Sequence, residues 1–182
     1  MKSTTLLIAC LCALTSTIAA AGARTGRPMI IHRLPELNLE IWTEQDPEWE
    51  THLGDFAGVN TFIAETPALT YPPAYMSWTV MKELKLRQHQ LEDAARGVLY
   101  QVAMNYRTNP PKEIRPRSYG DLTGFEATLD VAPDGTPSDV LLFCGHREGR
   151  PIVVMQVVTL KDRLPHLSEQ IRRSWTNVRY LD

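Results

Sequence analysis

The sequence predicts an α+β fold, an antiparallel sheet flanked by helices. Three stretches carry that expectation. Gly124 to Leu160 reads as three strands joined by turns, Lys85 to Tyr106 as a long amphipathic helix, and Pro165 to Trp175 as a closing helix. In the first stretch Phe125, Ala127, Leu129 and Val131 alternate with polar residues, so one face is apolar. Asp134-Gly135 then supplies a turn. Val140-Leu141-Leu142-Phe143-Cys144 is apolar without alternation, as in a strand covered on both faces. Glu148-Gly149 turns the chain again, and Pro151 sits where a missing N–H matters least. Ile152 to Leu160 follows with four valines and an isoleucine, the most β-prone run in the chain.

The remaining elements follow in chain order. Met1-Lys2, the apolar run Leu6 to Leu14, and the small residues Ala19-Ala20-Ala21 and Ala21-Gly22-Ala23 read as a cleaved secretory signal over 1–21, with cleavage after Ala21 or Ala23. The apolar run is short for a transmembrane helix. Leu7-Ile8-Ala9-Cys10 resembles a lipoprotein box but lies too early to leave room for a hydrophobic region. Residues 22–182 then form one exported domain, with the periplasm as its expected address. Met29 to Arg33 and Leu37 to Trp42 read as short strands around Pro35. Glu44 to Gly58 is acidic, and Trp49, Leu53 and Phe56 stand at helix-like spacing, which suggests a short helix or an irregular turn. Thr61 to Ala64 reads as a strand, Tyr71-Pro72-Pro73-Ala74-Tyr75 as an extended loop, and Ser77 to Leu84 as a strand with Trp78, Val80 and Leu84 facing in. The long helix puts Leu91, Ala94, Ala95, Val98, Leu99, Val102 and Tyr106 on one face and ends at Asn109-Pro110-Pro111. Lys112 to Arg117 reads as a solvated basic link. In the closing helix Leu167, Ile171 and Trp175 recur at i, i+4, i+8.

Composition narrows the function classes. At 182 residues, 43% hydrophobic and 22% charged, the chain can build an ordinary core. The net charge of −2 becomes −3 once Lys2 is removed, so nothing draws it to nucleic acid or to an anionic membrane; the membrane enters only through the transient signal. Cys10 and Cys12 leave with the signal, and Cys144 alone makes no internal disulfide.

Cys144 and His146 are the best catalytic candidates, because i, i+2 residues on a strand share a face and a Cys–His pair can generate a thiolate. The plainer reading is a buried cysteine and a turn-mouth histidine. His32, His52, His89 and His166 are scattered without zinc-site spacing. Asp130, Asp134 and Asp139 flank a turn but depart from the twelve-residue calcium loop. No phosphate loop or nucleophile elbow occurs, and Ser174 reads as a packing residue. No cofactor or metal is expected. Asp46, Glu48, Glu50 and Asp55 form an acidic surface; a glycosidase reading needs two carboxyls about 5–10 Å apart across a cleft. Aromatic residues inside a charged rim suit a protein interface, which makes Trp42, Trp49, Tyr71, Tyr75 and Trp78 the candidate partner-binding residues.

From Ser77 onward the order of elements, with Leu122-Thr123-Gly124-Phe125-Glu126, Gly145 to Gly149, and Ile171-Arg172-Arg173-Ser174-Trp175 within about 110 residues, resembles that of the PsbP/DcrB-like family of small α/β/α sandwiches. The resemblance implies a protein-holding or accessory module, mostly without enzymatic activity. The expectation is therefore a non-enzymatic periplasmic protein-binding module. Its concrete form is an immunity protein that blocks a toxin delivered by a type VI or similar secretion system. An accessory factor of an envelope membrane complex and a small Cys–His hydrolase are the alternatives.

Overall fold

The computed structural model describes residues 27–56, 58–81, 90–111 and 113–181. The expected signal segment, Leu84, His89 and the start of the expected long helix lie outside these residues. Met29–Leu34 (β1) and Leu39–Glu44 (β2) form an antiparallel hairpin, joined on the far side of β2 by Arg179–Tyr180 (β10). The larger sheet contains Glu50–Phe56 (β3), Val59–Glu65 (β4), Ala74–Met81 (β5), Arg115–Tyr119 (β6), Leu122–Val131 (β7), Ser138–His146 (β8) and Ile152–Leu160 (β9). Its order is β3-β4-β5-β9-β8-β7-β6, antiparallel throughout. Two helices complete the described fold, Leu91–Asn105 (α1) and Leu164–Thr176 (α2). The chain is thus an α+β protein dominated by antiparallel sheet.

The expected meander is present as β7, β8 and β9 in continuous register. The apolar run of β8 divides by parity. Val140, Leu142 and Cys144 enter cores shared with α1, against Leu91, Ala95, Leu99, Val102 and Ala103. Phe143 and Leu141 enter the core that holds Leu167, Ile171 and Trp175 of α2 together with Leu39 and Ile41 of β2. Burial on both sides is why β8 shows no alternation. Trp175 is packed edge-on by Tyr119, with ring centroids 5.1 Å apart, and lies beside Phe143. The strand register also depends on Gly124, because a Cβ there would stand 2.2 Å from the Cys144 carbonyl oxygen.

Two expectations are corrected at the sheet edges. Glu44 to Gly58 holds a strand, β3, rather than a helix or irregular turn. It pairs with β4 over its whole length, and the link is closed by the Gly58 N–H donating to Asp55 Oδ1 at 2.8 Å with Gly58 at φ +83. As an edge strand β3 leaves Leu53 half exposed, so its apolar spacing carries no strand period. Lys112 to Arg117 is not wholly a solvated link either: Arg115–Tyr119 is the opposite edge strand, where Pro116 is tolerated because one side makes no ladder.

Candidate functional site

The residues flagged by sequence do not share one face. Trp78 is 0% exposed, because alternation on β5 turns it with Met76 and Val80 into the core containing α2; it is therefore not a surface anchor. Trp49, 5% exposed, is likewise no protruding anchor and instead forms the wall of a cleft. Tyr75 has the opposite parity from Trp78 and meets α1. Trp42 is half-buried on β2, where its indole N–H donates to Glu40 at 3.0 Å. Tyr71 is 64% exposed.

Three connections meet around Trp49 and Tyr71. The first is the turn from β2 to β3, where Gln45 bridges Glu48 and the Trp49 N–H reaches the Glu44 carbonyl at 3.4 Å. The second joins β4 to β5. Its ends are tied by the Thr66 N–H donating to the Ala74 carbonyl at 2.9 Å and the Ala74 N–H donating to Thr66 Oγ1 at 2.9 Å. Thr159 Oγ1 donates to the Pro73 carbonyl at 2.8 Å, and Pro72 is buried. Between these ties Leu69, at φ +69, and Tyr71 stand out into solvent. The third wall is the start of α2, with His166, Leu167 and Gln170. The enclosed cleft measures about 310 Å³.

Glu44 lines this cleft and is only 4% exposed. Arg173 Nη1 forms an ion pair with Glu44 Oε2 at 3.3 Å while its Nη2 donates to the Arg27 carbonyl, and neither Glu44 oxygen accepts a hydrogen bond from the described residues. Burial pushes the Glu44 carboxyl above its ordinary value; Arg173 and Arg27 oppose that shift and Glu169 adds to it. The Arg163 guanidinium lies 5.3 Å from the Tyr71 ring centroid, a cation–π contact at the rim. No sequence pattern marks Glu44, which stands at the start of the acidic stretch.

A second cleft, of about 270 Å³, separates α1 from β5 and β9. Its floor carries buried Gln156, whose Nε2 donates to Tyr75 and Tyr106 hydroxyls at 2.8 Å each. Burial holds both phenols above their ordinary values. That network accounts for Tyr75 as a packing residue whose polar tip is satisfied.

The remaining candidates have structural explanations. Cys144 is buried among Leu91, Ala95 and Ile152, and burial pushes its thiol up to about 12, which leaves no thiolate at neutral pH. His146 is buried on the same strand. Asp130 and Asp139 are bridged by the Lys161 ammonium, so the cation between them is the chain's own; Asp139 also accepts the Asp162 N–H at 2.7 Å. Among the described residues no group of three or more His, Cys, Asp or Glu is placed to hold a metal. Ser174 Oγ donates to the Trp42 carbonyl and so ties α2 to β2. No helix among the described residues is long and apolar enough to cross a membrane.

No family model matches the chain, and no curated protein matches it. Among solved structures, a crystal structure from Bacteroides thetaiotaomicron VPI-5482 at 1.50 Å resolution is similar, with a TM-score of 0.55 at 10% identity. The match covers 85% of this chain and 49% of that one, so this chain spans about half the length of the protein it resembles. At that identity the likeness concerns the fold alone.

Proposed function

We propose that this chain is an exported, non-enzymatic protein-binding module that acts in the periplasm through the corner built by the β2–β3 turn, the β4–β5 connection and the start of α2. The observation that carries the reading is the pair Leu69 and Tyr71, held out in solvent on a connection tied down at both ends and beside a charged cleft. An aromatic and an aliphatic anchor within a rim of Arg27, Asp46, Arg163 and His166 is the composition of an interface centre. In its concrete form the partner is a toxin acting in the periplasm, and the corner blocks it sterically, as an immunity protein does. The finer fold reading, a PsbP/DcrB-like α/β/α sandwich, belongs to the same proposal; the division of the β8 side chains between a core with α1 and a core with α2 supports it.

The test is co-purification with the tagged mature chain from the envelope, read by mass spectrometry. One stoichiometric partner of toxin or hydrolase character is the expected result. A set of membrane-complex subunits would replace the blocking role with that of an accessory factor. Recovery of abundant periplasmic proteins alone would contradict the binding role.

A further inference from the structure

We infer that the cleft between α1 and the centre of the large sheet binds a small uncharged molecule, one with a short aliphatic body and an amide- or hydroxyl-type head that both donates and accepts hydrogen bonds. The cleft lies on a different part of the molecule from the protein-binding corner, and the inference does not depend on that role.

The floor is polar where a packing layer would be apolar. β9 is the central strand of the seven, and β5 lies beside it. On the face toward α2 these strands set Met76, Trp78 and Val80 opposite Val157, Met155 and Val153, all buried in one apolar core. On the other face Ser77 stands directly opposite Gln156, and Thr79 opposite Thr61 of β4; all four side chains are buried. Thr61 and Thr79 join through their hydroxyls at 2.9 Å and so satisfy each other. Gln156 differs. It is 5% exposed and lines the cleft, both hydrogens of its amide serve the Tyr75 and Tyr106 phenols, and among the described residues no group donates to its Oε1. A buried acceptor in that position needs a donor from whatever fills the cleft.

The helix leaves the room above this floor. Leu99, Val102 and Ala103 of α1 pack with Ala127 and Leu129 of β7 and Leu142 of β8, so the helix lies over that side of the sheet and stands aside from β5. The space of about 270 Å³ that remains has Met81, Val98, Val102 and Val154 as apolar walls, and the exposed amides of Gln101 and Asn105 stand at its mouth. None of the described lining residues is charged. A carboxylate or an ammonium entering the cleft would lose hydration without gaining a counter-ion. An amide or a hydroxyl keeps its pairing there, because Gln156 Oε1 accepts its hydrogen and the Tyr75 hydroxyl stands beside that acceptor. The volume is at the small end of ligand sites, which suits a short chain. An apolar body against four aliphatic side chains and a polar head on the floor is the arrangement such sites use.

The test titrates the mature chain, at about pH 7, with hexanamide and separately with hexanoate, which has the same body and an ionised head. The methyl groups of Met81, Val98 and Val154 are followed by NMR. Hexanamide is expected to shift all three saturably, with affinity in the millimolar range, and hexanoate at least about tenfold more weakly. Val98→Phe, which fills the cleft from the helix side, is expected to abolish the response of Met81 and Val154 to hexanamide. Gln156→Met, which keeps the volume and removes the acceptor, is expected to weaken hexanamide to about the level of hexanoate. Equal responses to the two probes, no saturable shift of these methyls up to about 20 mM hexanamide, or an undiminished response in folded Val98→Phe would overturn the inference. The two probes are compared on the unaltered chain, so they decide the matter even if neither variant folds.

Discussion

At the scale of single residues, Glu44 departs from what its sequence neighbourhood suggests and Cys144 follows it. Leu39, Ile41 and Thr43 alternate inward on β2, which assigns Glu44 to the outer parity with Glu40 and Trp42. It is buried instead because α2 brings Arg173 to 3.3 Å, a tertiary contact that no local pattern encodes. Its carboxyl is raised by burial in the folded chain, against Arg173 and Arg27 and with Glu169. A raised folded value means that the contribution of Glu44 to stability is complete below the unfolded carboxylate range and is lost as the pH climbs through the folded value. Denaturant unfolding of wild type and Glu44→Gln should therefore show the wild type losing ground to the variant as the pH rises above the ordinary carboxylate range. A difference that is constant with pH would show that burial does not govern Glu44. Cys144 was legible as a buried hydrophobe from its apolar run, and the structure leaves the thiol inaccessible. Iodoacetamide at pH 8 should label it only after denaturation, and Cys144→Ala should cost about 1 kcal/mol while leaving partner binding intact. Rapid labelling of the native chain would contradict this packing.

At the scale of elements, legibility followed burial. The meander, α1 and α2 announced themselves because each buries a regular face: Leu167, Ile171 and Trp175 of α2 enter one core, and Leu91, Ala95, Leu99 and Val102 of α1 enter the others. The edge strands β3 and β6 escaped because an edge strand buries little and keeps charged residues outward, which erases the period of two. The two-residue β10 has no pattern of its own; it exists because Tyr180 is buried beside β2. Two glycines separate packing from propensity. Gly124→Ala forces a Cβ against the backbone of β8, 2.2 Å from the Cys144 oxygen and 2.5 Å from the Gly145 Cα, and should destabilise by about 1–3 kcal/mol. Gly97 lies on the exposed side of α1 with nothing within 4 Å of an added Cβ, so Gly97→Ala should stabilise by about 0.5–1 kcal/mol. Thermal or denaturant unfolding of the two variants checks both signs. Truncation of the closing helix's anchor, Trp175→Ala, should cost about 3–5 kcal/mol, in keeping with a fully buried ring flanked by Tyr119 and Phe143.

At the scale of the whole molecule, the fold class could be reached from sequence but the site could not. The five aromatics read as one anchor set are dispersed by strand parity and by the chain's return: Trp78 to one face of the sheet, Tyr75 to the other, Trp49 into a wall, Trp42 half-buried on β2, and Tyr71 toward solvent. The corner that remains is assembled from segments more than a hundred residues apart, Glu44 to Trp49 and His166 to Arg173, with Tyr71 between them. Such a juxtaposition follows from how α2 packs on β2, and its members carry no shared spacing. A second exposed apolar pair, Tyr100 and Met104 on α1, provides an internal control elsewhere on the surface. The decisive measurement is a quantitative pull-down from the envelope comparing three tagged chains: wild type, Leu69→Ser with Tyr71→Ala, and Tyr100→Ser with Met104→Ser. The account predicts that the partner is retained by wild type and by the α1 variant and lost from the Leu69/Tyr71 variant. Loss from the α1 variant alone, or equal retention by all three, would contradict it.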